Sequence, residues 1–181
     1  MSDLYEALSP ELTAFIAQQR MFFVATAAAD GRVNLSPKGH DSLKVTGPNT
    51  LVWQNLTGSG NETAAHLRDT NRMTLMWCSF EGSPQILRVY GTAETIHAHH
   101  PLWDECAAVI PATVGTRQFF RVRFDLVQTS CGYAVPLMDY QGDREILRKW
   151  AVKRGASGIR EYWEEKNQVG LDGQPTGIFG E

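Results

Sequence analysis

The hydrophobic positions at the start of the chain follow a helical pattern. Ser9 precedes Pro10, and apolar residues follow at helical spacing at Leu12 and Ile16. A serine just before the first turn and a proline at the first helical position are typical of a helix start. The pattern therefore predicts an N-terminal helix within residues 1–20.

After Arg20 the pattern changes to short apolar runs that are typical of strands. The run MFFVATAAA ends at Asp30–Gly31, which favours a tight hairpin turn, and the run RVNLS ends at Pro37, which cannot donate to a sheet ladder. Further strand-like runs are SLKVT, TLVWQN, MTLMWCSF, QILRVYGTAETI and FFRVRFDLVQT. The predicted helices after the first lie at about residues 61–71, 99–110, 143–154 and 157–167.

Hairpin-linked strands with helices at both ends predict a mainly β fold of the α+β class. We expect its antiparallel sheet to close as a small barrel, because closure leaves no exposed strand edge. A doubly wound parallel sheet requires regular strand–helix–strand alternation, which the chain lacks. The prediction is one domain over residues 1–181, with an N-terminal helix (1–20), a barrel core (21–130) and a C-terminal helical extension (131–181).

Composition narrows the class of protein without identifying it. The 181 residues are 43% hydrophobic and 20% charged, as expected of a folded domain that needs no metal or disulfide to hold its core. A net charge of −3 lacks the basic surface that nucleic-acid binding requires, and no apolar run is long enough to span a membrane. Three cysteines without a CxxC pair argue against a disulfide framework and a zinc site, so we expect no metal and a cytoplasmic location.

The most informative chemistry lies between residues 32 and 63. Small polar side chains, glycines and one lysine cluster at predicted strand ends and at a helix start: Ser36, Lys38, Gly39, Gln54, Asn55, Thr57, Ser59, Gly60, Asn61 and Thr63. Backbone amides at a helix N-terminus attract phosphate, and glycines let the backbone approach it, so this segment is a candidate anion cradle. A polar hairpin loop followed by a capped helix explains the same residues, and Glu62 in the first turn disfavours a bound anion.

Common nucleotide and metal motifs are absent or incomplete. The stretch 58–63 begins like GxGxxG but has no parallel strand to sit on, no P-loop is present, and the histidines within 97–100 lack a second ligand pair at metal spacing. Two other residues stand out. Trp53 lies in the strand that leads into the candidate cradle, where it could stack on an aromatic cofactor, and Arg88 places a cation in an apolar strand, where it requires a partner or an outward orientation.

Three stretches occur in the order and at the spacing of a known family: FFVATAAADGRVNLSPKGHDSLKV, TLVWQNLTGSGNETAAHLRDTNRMTLMW and ILRVYGTAE. Over about residues 5–130 the chain resembles the pyridoxamine 5'-phosphate oxidase-like family of flavin-binding split β-barrels. The resemblance implies an antiparallel split barrel and a homodimer. It also implies two FMN molecules at the dimer interface, each lined by residues of both chains.

By position, the resemblance also implies which residues bind the cofactor. The implied flavin contacts are Asn34, Leu35, Ser36, Trp53, Gln54 and Asn55, with Lys38 as the phosphate cation and Gly60, Asn61, Glu62 and Thr63 at the phosphate end. Glu62 and Thr63 stand where the vitamin B6 oxidase has a basic pair, so the phosphate charge would fall to Lys38, to Arg88 or to a partner-chain residue. The segment from CGYAVP onward resembles a different subgroup, so we do not expect the vitamin B6 oxidase itself.

One leading function and two alternatives follow. The leading hypothesis is an oxidoreductase that passes a hydride or electrons between FMN and a small organic substrate; the flavin would supply that chemistry, and no catalytic residue is assigned. The first alternative is a reductase that uses the deazaflavin F420, whose acidic tail would find only four nearby cations: Lys38, Lys44, Arg68 and Arg72. The second is a non-catalytic flavin- or haem-binding protein, with His40 or His66 as a haem ligand.

Overall fold

The computed structural model describes residues 2–180 of the chain. Over this range the chain forms eight strands and four helices. The strands are β1 (Ser2–Tyr5), β2 (Phe22–Thr26), β3 (Asn34–Lys38), β4 (Leu43–Gly47), β5 (Thr50–Leu56), β6 (Met73–Cys78), β7 (Ile86–His97) and β8 (Thr116–Ser130). The helices are α1 (Pro10–Gln18), α2 (Glu62–Asp69), α3 (Trp103–Val109) and α4 (Ile146–Lys166).

The eight strands form one antiparallel sheet, which confirms the mainly β, α+β fold. They pair in the order β3-β2-β6-β7-β8-β5-β4, and β1 pairs with the end of β8. The predicted barrel is split, because β3 and β4 stand at the two ends of the pairing order described over residues 2–180. His40 and Asp41, which join them, have φ of 62° and 52°, so the chain turns between β3 and β4 instead of pairing them.

The connection between β2 and β3 also differs from the prediction. It spans residues 27–33 and is not a tight Asp30–Gly31 hairpin, and β3 continues through Pro37, which lies opposite Phe23 of β2. Pro37 is tolerated because β3 is an end strand, where a missing N–H breaks no second ladder. A distant contact holds the longer connection: the backbone N–H of Arg32 donates to Asp172 Oδ2 at 2.7 Å.

Aromatic side chains from both halves of the sheet form its core. Trp53 of β5 stacks on Phe120 of β8 with ring centroids 4.6 Å apart, and Phe22 of β2 lies 6.0 Å from both Trp53 and Trp77 of β6. Burial of each such ring stabilises the fold by about 2–3 kcal/mol. Because strands distant in the pairing order share these contacts, the sheet must curve round the core as a split barrel.

The helices largely follow the sequence prediction. Ser9 caps α1, accepting a hydrogen bond from the Leu12 N–H at 3.2 Å, and α2 begins directly after Asn61. The predicted pair of C-terminal helices is present as α4, whose two halves meet at a kink at Gly155 (φ 67°). Strand β1 was not predicted, because pairing with β8 decides it and not a local pattern. No helix within residues 2–180 combines the length and the apolar character that a membrane crossing demands.

Candidate functional site

A cavity of about 1000 Å³ opens where β3 and β5 end. Five segments line it: the end of α1 and residues 19–21, residues 37–42 after β3, residues 53–58 of β5 and beyond, the β6–β7 connection, and residues 138–147. We call it the main cavity. Its volume lies at the upper end of the range for small-molecule and cofactor sites.

Lys38, the last residue of β3, places a cation on the wall of the main cavity. Its Nζ lies 5.5 Å from the ring centroid of Trp53. Within residues 2–180, no carboxylate forms an ion pair with Lys38, and no acceptor takes a hydrogen bond from its Nζ. Burial, and after it the positive charge of Arg117, lowers the pKa of Lys38 to about 8. An anionic group of a ligand would supply the missing counter-charge.

Two amides beside Lys38 present unused hydrogen-bonding atoms. The Gln54 amide donates through Nε2 to Pro111 O at 2.8 Å and to Thr116 Oγ1 at 3.0 Å, while its Oε1 accepts from no residue that the structure describes. Asn55 is the converse case, because its Oδ1 is used and its Nδ2 donates to no described residue. Because successive side chains of a strand point to opposite faces, these two free atoms lie on different faces of β5, although both residues line the main cavity.

Arg117 at the start of β8 orients Asn55 and was not predicted as a site residue. It donates from Nη2 to Asn55 Oδ1 at 2.8 Å and from Nη1 to Gly60 O at 2.8 Å. Only 4% of its surface is exposed, and its hydrogen-bond acceptors are all neutral. Burial lowers the pKa of the guanidinium to about 9, so it remains charged at neutral pH. Among the described residues, no carboxylate hydrogen-bonds to this cation, and Glu62 acts on it only through its charge.

The loop between β5 and α2 is fixed by buried amides. Gln118 Nε2 donates to Asn61 Oδ1 at 2.7 Å, and Asn61 Nδ2 donates to Asn167 O at 3.4 Å. Asn167 in turn donates from Nδ2 to Gly58 O at 3.0 Å and accepts from Arg117 at 2.8 Å. Because buried polar groups that lose their partners are costly, this network holds the loop in one conformation.

Residues 167–178, which we call the C-terminal strap, cover the start of α2. Glu62 Oε2 accepts a hydrogen bond from the Leu171 N–H at 2.7 Å, and Asp172 forms an ion pair with Arg32. Gly170 lies so close that an added Cβ would be 2.8 Å from Glu62 Oε2. The chain itself therefore occupies the space in front of the first turn of α2.

The structure divides the residues predicted for the site into three groups. Lys38, Trp53, Gln54 and Asn55 line the main cavity together. Gly60, Asn61 and Glu62 lie in the loop and helix start beneath the C-terminal strap, away from the cavity lining.

The remaining predicted residues lie elsewhere. Asn34 of β3 donates to Thr63 Oγ1 of α2 at 3.3 Å, while Ser36 is half-buried on β3 and Leu35 is 65% exposed. Arg88 lies near the start of β7 and donates to Ser130 Oγ at 3.4 Å. Arg117, and not Arg88, is the cation that contacts Asn55 and Gly60, and its polar neighbours Thr116 and Gln118 give no local signal that would single it out.

The two histidines considered as haem ligands occupy different surroundings. His66 of α2 is buried, and its Nδ1 hydrogen-bonds with Thr26 Oγ1 at 3.2 Å. His40 lines the main cavity with its Nδ1 3.7 Å from Asp143 Oδ2, and its Nε2 has no hydrogen-bond partner among residues 2–180. A positive φ at a residue other than glycine costs of order 1 kcal/mol and is concentrated at functional sites, which draws attention to His40.

Tested against a flavin, one part of this arrangement fits and the other does not. The main cavity is large enough for a planar heterocycle, and its lysine without an acidic partner among residues 2–180 suits an anionic chain. The start of α2 does not suit a phosphate, because it carries the Glu62 carboxylate and the C-terminal strap lies against that side chain.

Together, the mainly antiparallel split barrel and the cavity at its open end define a class of small-ligand-binding barrels. Within that class, the family model of pyridoxamine 5'-phosphate oxidase matches residues 8–131, and the chain belongs to this family. A pyridoxamine 5'-phosphate oxidase family protein of Aspergillus flavus, ustO, is 33% identical over 195 residues, covering 97% of this chain and 78% of that protein.

Solved structures of low sequence identity share the fold. HupZ from Group A Streptococcus is 19% identical, with a TM-score of 0.52, over 66% of this chain and 91% of that one. A candidate pyridoxamine 5'-phosphate oxidase from Lactobacillus delbrueckii is 18% identical, with a TM-score of 0.53, over 68% of this chain and 94% of that one. At these identities the likeness shows the fold alone.

Proposed function

We propose that this protein binds FMN in the main cavity and uses it as an oxidoreductase acting on a small organic substrate. The observation that carries the proposal is a cavity of about 1000 Å³ lined by Lys38, which has no acidic partner among the described residues. The cavity belongs to a chain whose family resemblance implies FMN.

Each wall residue has a distinct role in this proposal. Lys38 pairs with the phosphate, and residues 54–58, which line the cavity, lie against the ring. Trp53 is fully buried and supports Lys38, whose Nζ lies 5.5 Å from its ring centroid. Arg117 fixes the Asn55 amide through Oδ1. The bound flavin would supply the hydride or electron transfer, and the protein would supply orientation and exclusion of water.

We further propose that the protein is a homodimer. Its support is a set of large apolar side chains left on the surface, of which Tyr133 is 82% exposed and Leu137 80% exposed, close in sequence to the cavity segment 138–147. Apolar residues of this size are commonly covered by a partner. Light scattering at several protein concentrations tests this: a concentration-independent monomer that still binds flavin would refute it.

A non-catalytic haem-binding protein is the second candidate, because the Nε2 atom of His40 has no described partner and His40 lines the cavity. F420 is less favoured, since Lys44, one of four nearby cations, is already paired with Asp41 at 2.7 Å.

The deciding experiment is a visible spectrum of the freshly purified protein with mass analysis of any released molecule. A flavin spectrum with released FMN supports the proposal; a haem spectrum that is lost in His40→Ala favours the alternative. A protein that is colourless and fails to take up FMN would refute cofactor binding. Oxidation of a reduced nicotinamide by the FMN-loaded protein, absent in the FMN-free protein, would support the oxidoreductase.

A further inference from the structure

We infer that the C-terminal strap closes the start of α2 to ligands, so that Lys38 recognises the phosphate of the bound flavin and residues 60–63 do not. The inference rests on the proposed flavin site and specifies which residue distinguishes FMN from riboflavin. Of the positions that the family resemblance implies for the phosphate, it keeps Lys38 and excludes residues 60–63.

The space in front of α2 is already occupied by the chain. A phosphate at a helix start is held by the free backbone N–H groups of the first turn. Here Gly170 and Leu171 lie against Glu62 of that turn: a Cβ at Gly170 would be 2.8 Å from Glu62 Oε2, and the Leu171 N–H donates to the same oxygen at 2.7 Å. The strap is fastened at its first residue by Asn167 to Gly58 and near its middle by Asp172 to Arg32. A ligand phosphate would have to displace this whole segment.

Charge also disfavours a phosphate at the start of α2. Glu62 adds a carboxylate in the first turn of the helix, where it already interacts favourably with the helix dipole. A phosphate brought beside this carboxylate would be repelled by it. Lys38, in contrast, faces the main cavity with no acidic partner among the described residues.

Arg117 lies between the main cavity and the start of α2, and its contacts differ on the two sides. Its Nη2 contacts Asn55 on the cavity wall, while its Nη1 contacts Gly60 and Asn167 on the strap side. On the strap side its donors are satisfied by the chain itself. Its positive charge interacts with the Glu62 carboxylate on the strap side, and on the cavity side, where it lowers the pKa of Lys38, it adds to the attraction for an anion.

The experiment compares the dissociation constants of FMN and riboflavin, measured by fluorescence quenching on the full-length protein. Lys38→Met is expected to weaken FMN binding about tenfold or more, the size of a lost charge-assisted contact, and to change riboflavin binding by less than about threefold. Glu62→Lys, which places a cation at the start of α2, is expected to leave the ratio of the two constants within about twofold. Glu105→Lys on α3, away from the cavity and the strap, is the matched charge control.

Two results would overturn the inference. One is a Glu62→Lys variant that binds FMN about tenfold more tightly relative to riboflavin, since this would place the phosphate at α2. The other is a Lys38→Met variant that weakens both flavins equally or neither. Should Glu62→Lys disturb folding, Glu62→Gln keeps an acceptor for the Leu171 N–H and tests the same charge.

If neither flavin binds, the proposed function fails, and inorganic phosphate then tests the inference by itself. In ¹H–¹⁵N spectra, phosphate-induced shifts at the amides of residues 38–40 support recognition at Lys38. Shifts at residues 61–64, or none at either place, overturn it.

Discussion

Replacing Lys38 by methionine should stabilise the protein at neutral pH while weakening FMN binding. Burial lowers the pKa of Lys38 from 10.5 to about 8 because the folded protein disfavours the charged ammonium. At about 1.4 kcal/mol per pH unit, this shift corresponds to a cost on the order of 3 kcal/mol, reduced to about 2 kcal/mol where the cavity admits water. Methionine keeps the length of the side chain and removes the charge.

The pH dependence distinguishes this cause from ordinary packing. Between pH 8 and 10.5 the unfolded chain binds more protons at this residue than the folded chain does, so wild-type stability attributable to Lys38 rises with pH. Below pH 8 the cost is fully present. We therefore expect the advantage of Lys38→Met over wild type to be largest below pH 8 and to vanish by about pH 10.5.

Urea denaturation at pH 7 and pH 10 measures both quantities. Lys44→Met is the control, because Lys44 is exposed and paired with Asp41, and a surface pair contributes about 0–1 kcal/mol. A Lys38→Met protein that is less stable than wild type at pH 7, or whose advantage is the same at both pH values, would refute the reasoning. The anion-binding role and the stability cost would then have separate origins.

Three further expectations concern Lys38, His97 and Gly91. FMN affinity should fall as the pH rises above about 8 while riboflavin affinity stays level, because Lys38 loses its proton; calorimetric titration from pH 6.5 to 9.5 checks this. Burial, then the charge of His99, lowers the pKa of His97 to about 4, so wild type should lose stability as the pH falls from 6.5 towards 4, and His97→Gln should lose roughly 3 kcal/mol less in urea denaturation. Gly91→Ala should cost at least about 3 kcal/mol, since its Cβ would lie 2.0 Å from Arg123 O, whereas Gly58→Ala, with open space around it, should change the melting temperature little.

The sequence predicted what local patterns determine. Alternation and turn residues indicated the antiparallel strands, and Ser9 and Asn61 marked the starts of α1 and α2. The cavity wall at Lys38 and Trp53 followed from polar residues at strand ends together with the family resemblance.

The features that were not predicted depend on contacts between distant residues. The β2–β3 connection is held by Asp172, which lies 140 residues beyond Arg32 in sequence, and nothing local to Asp30–Gly31 announces it. Arg117 looked like an ordinary strand residue because its partners, Gly60 and Asn167, come from two other parts of the chain. A pattern with a period of two or 3.6 residues carries no information about such partners.

The C-terminal strap also has a consequence for the order of events during synthesis. Nascent chains fold from the N-terminus onward, so the barrel strands through β8 can assemble before the strap has left the ribosome. Until residue 167 emerges, Arg117 lacks one of its hydrogen-bond acceptors and the loop before α2 lacks its cover. A segment that emerges after the barrel strands therefore completes the anchoring of Arg117, the residue that orients Asn55, and a chain cut before residue 167 would leave Arg117 without that acceptor.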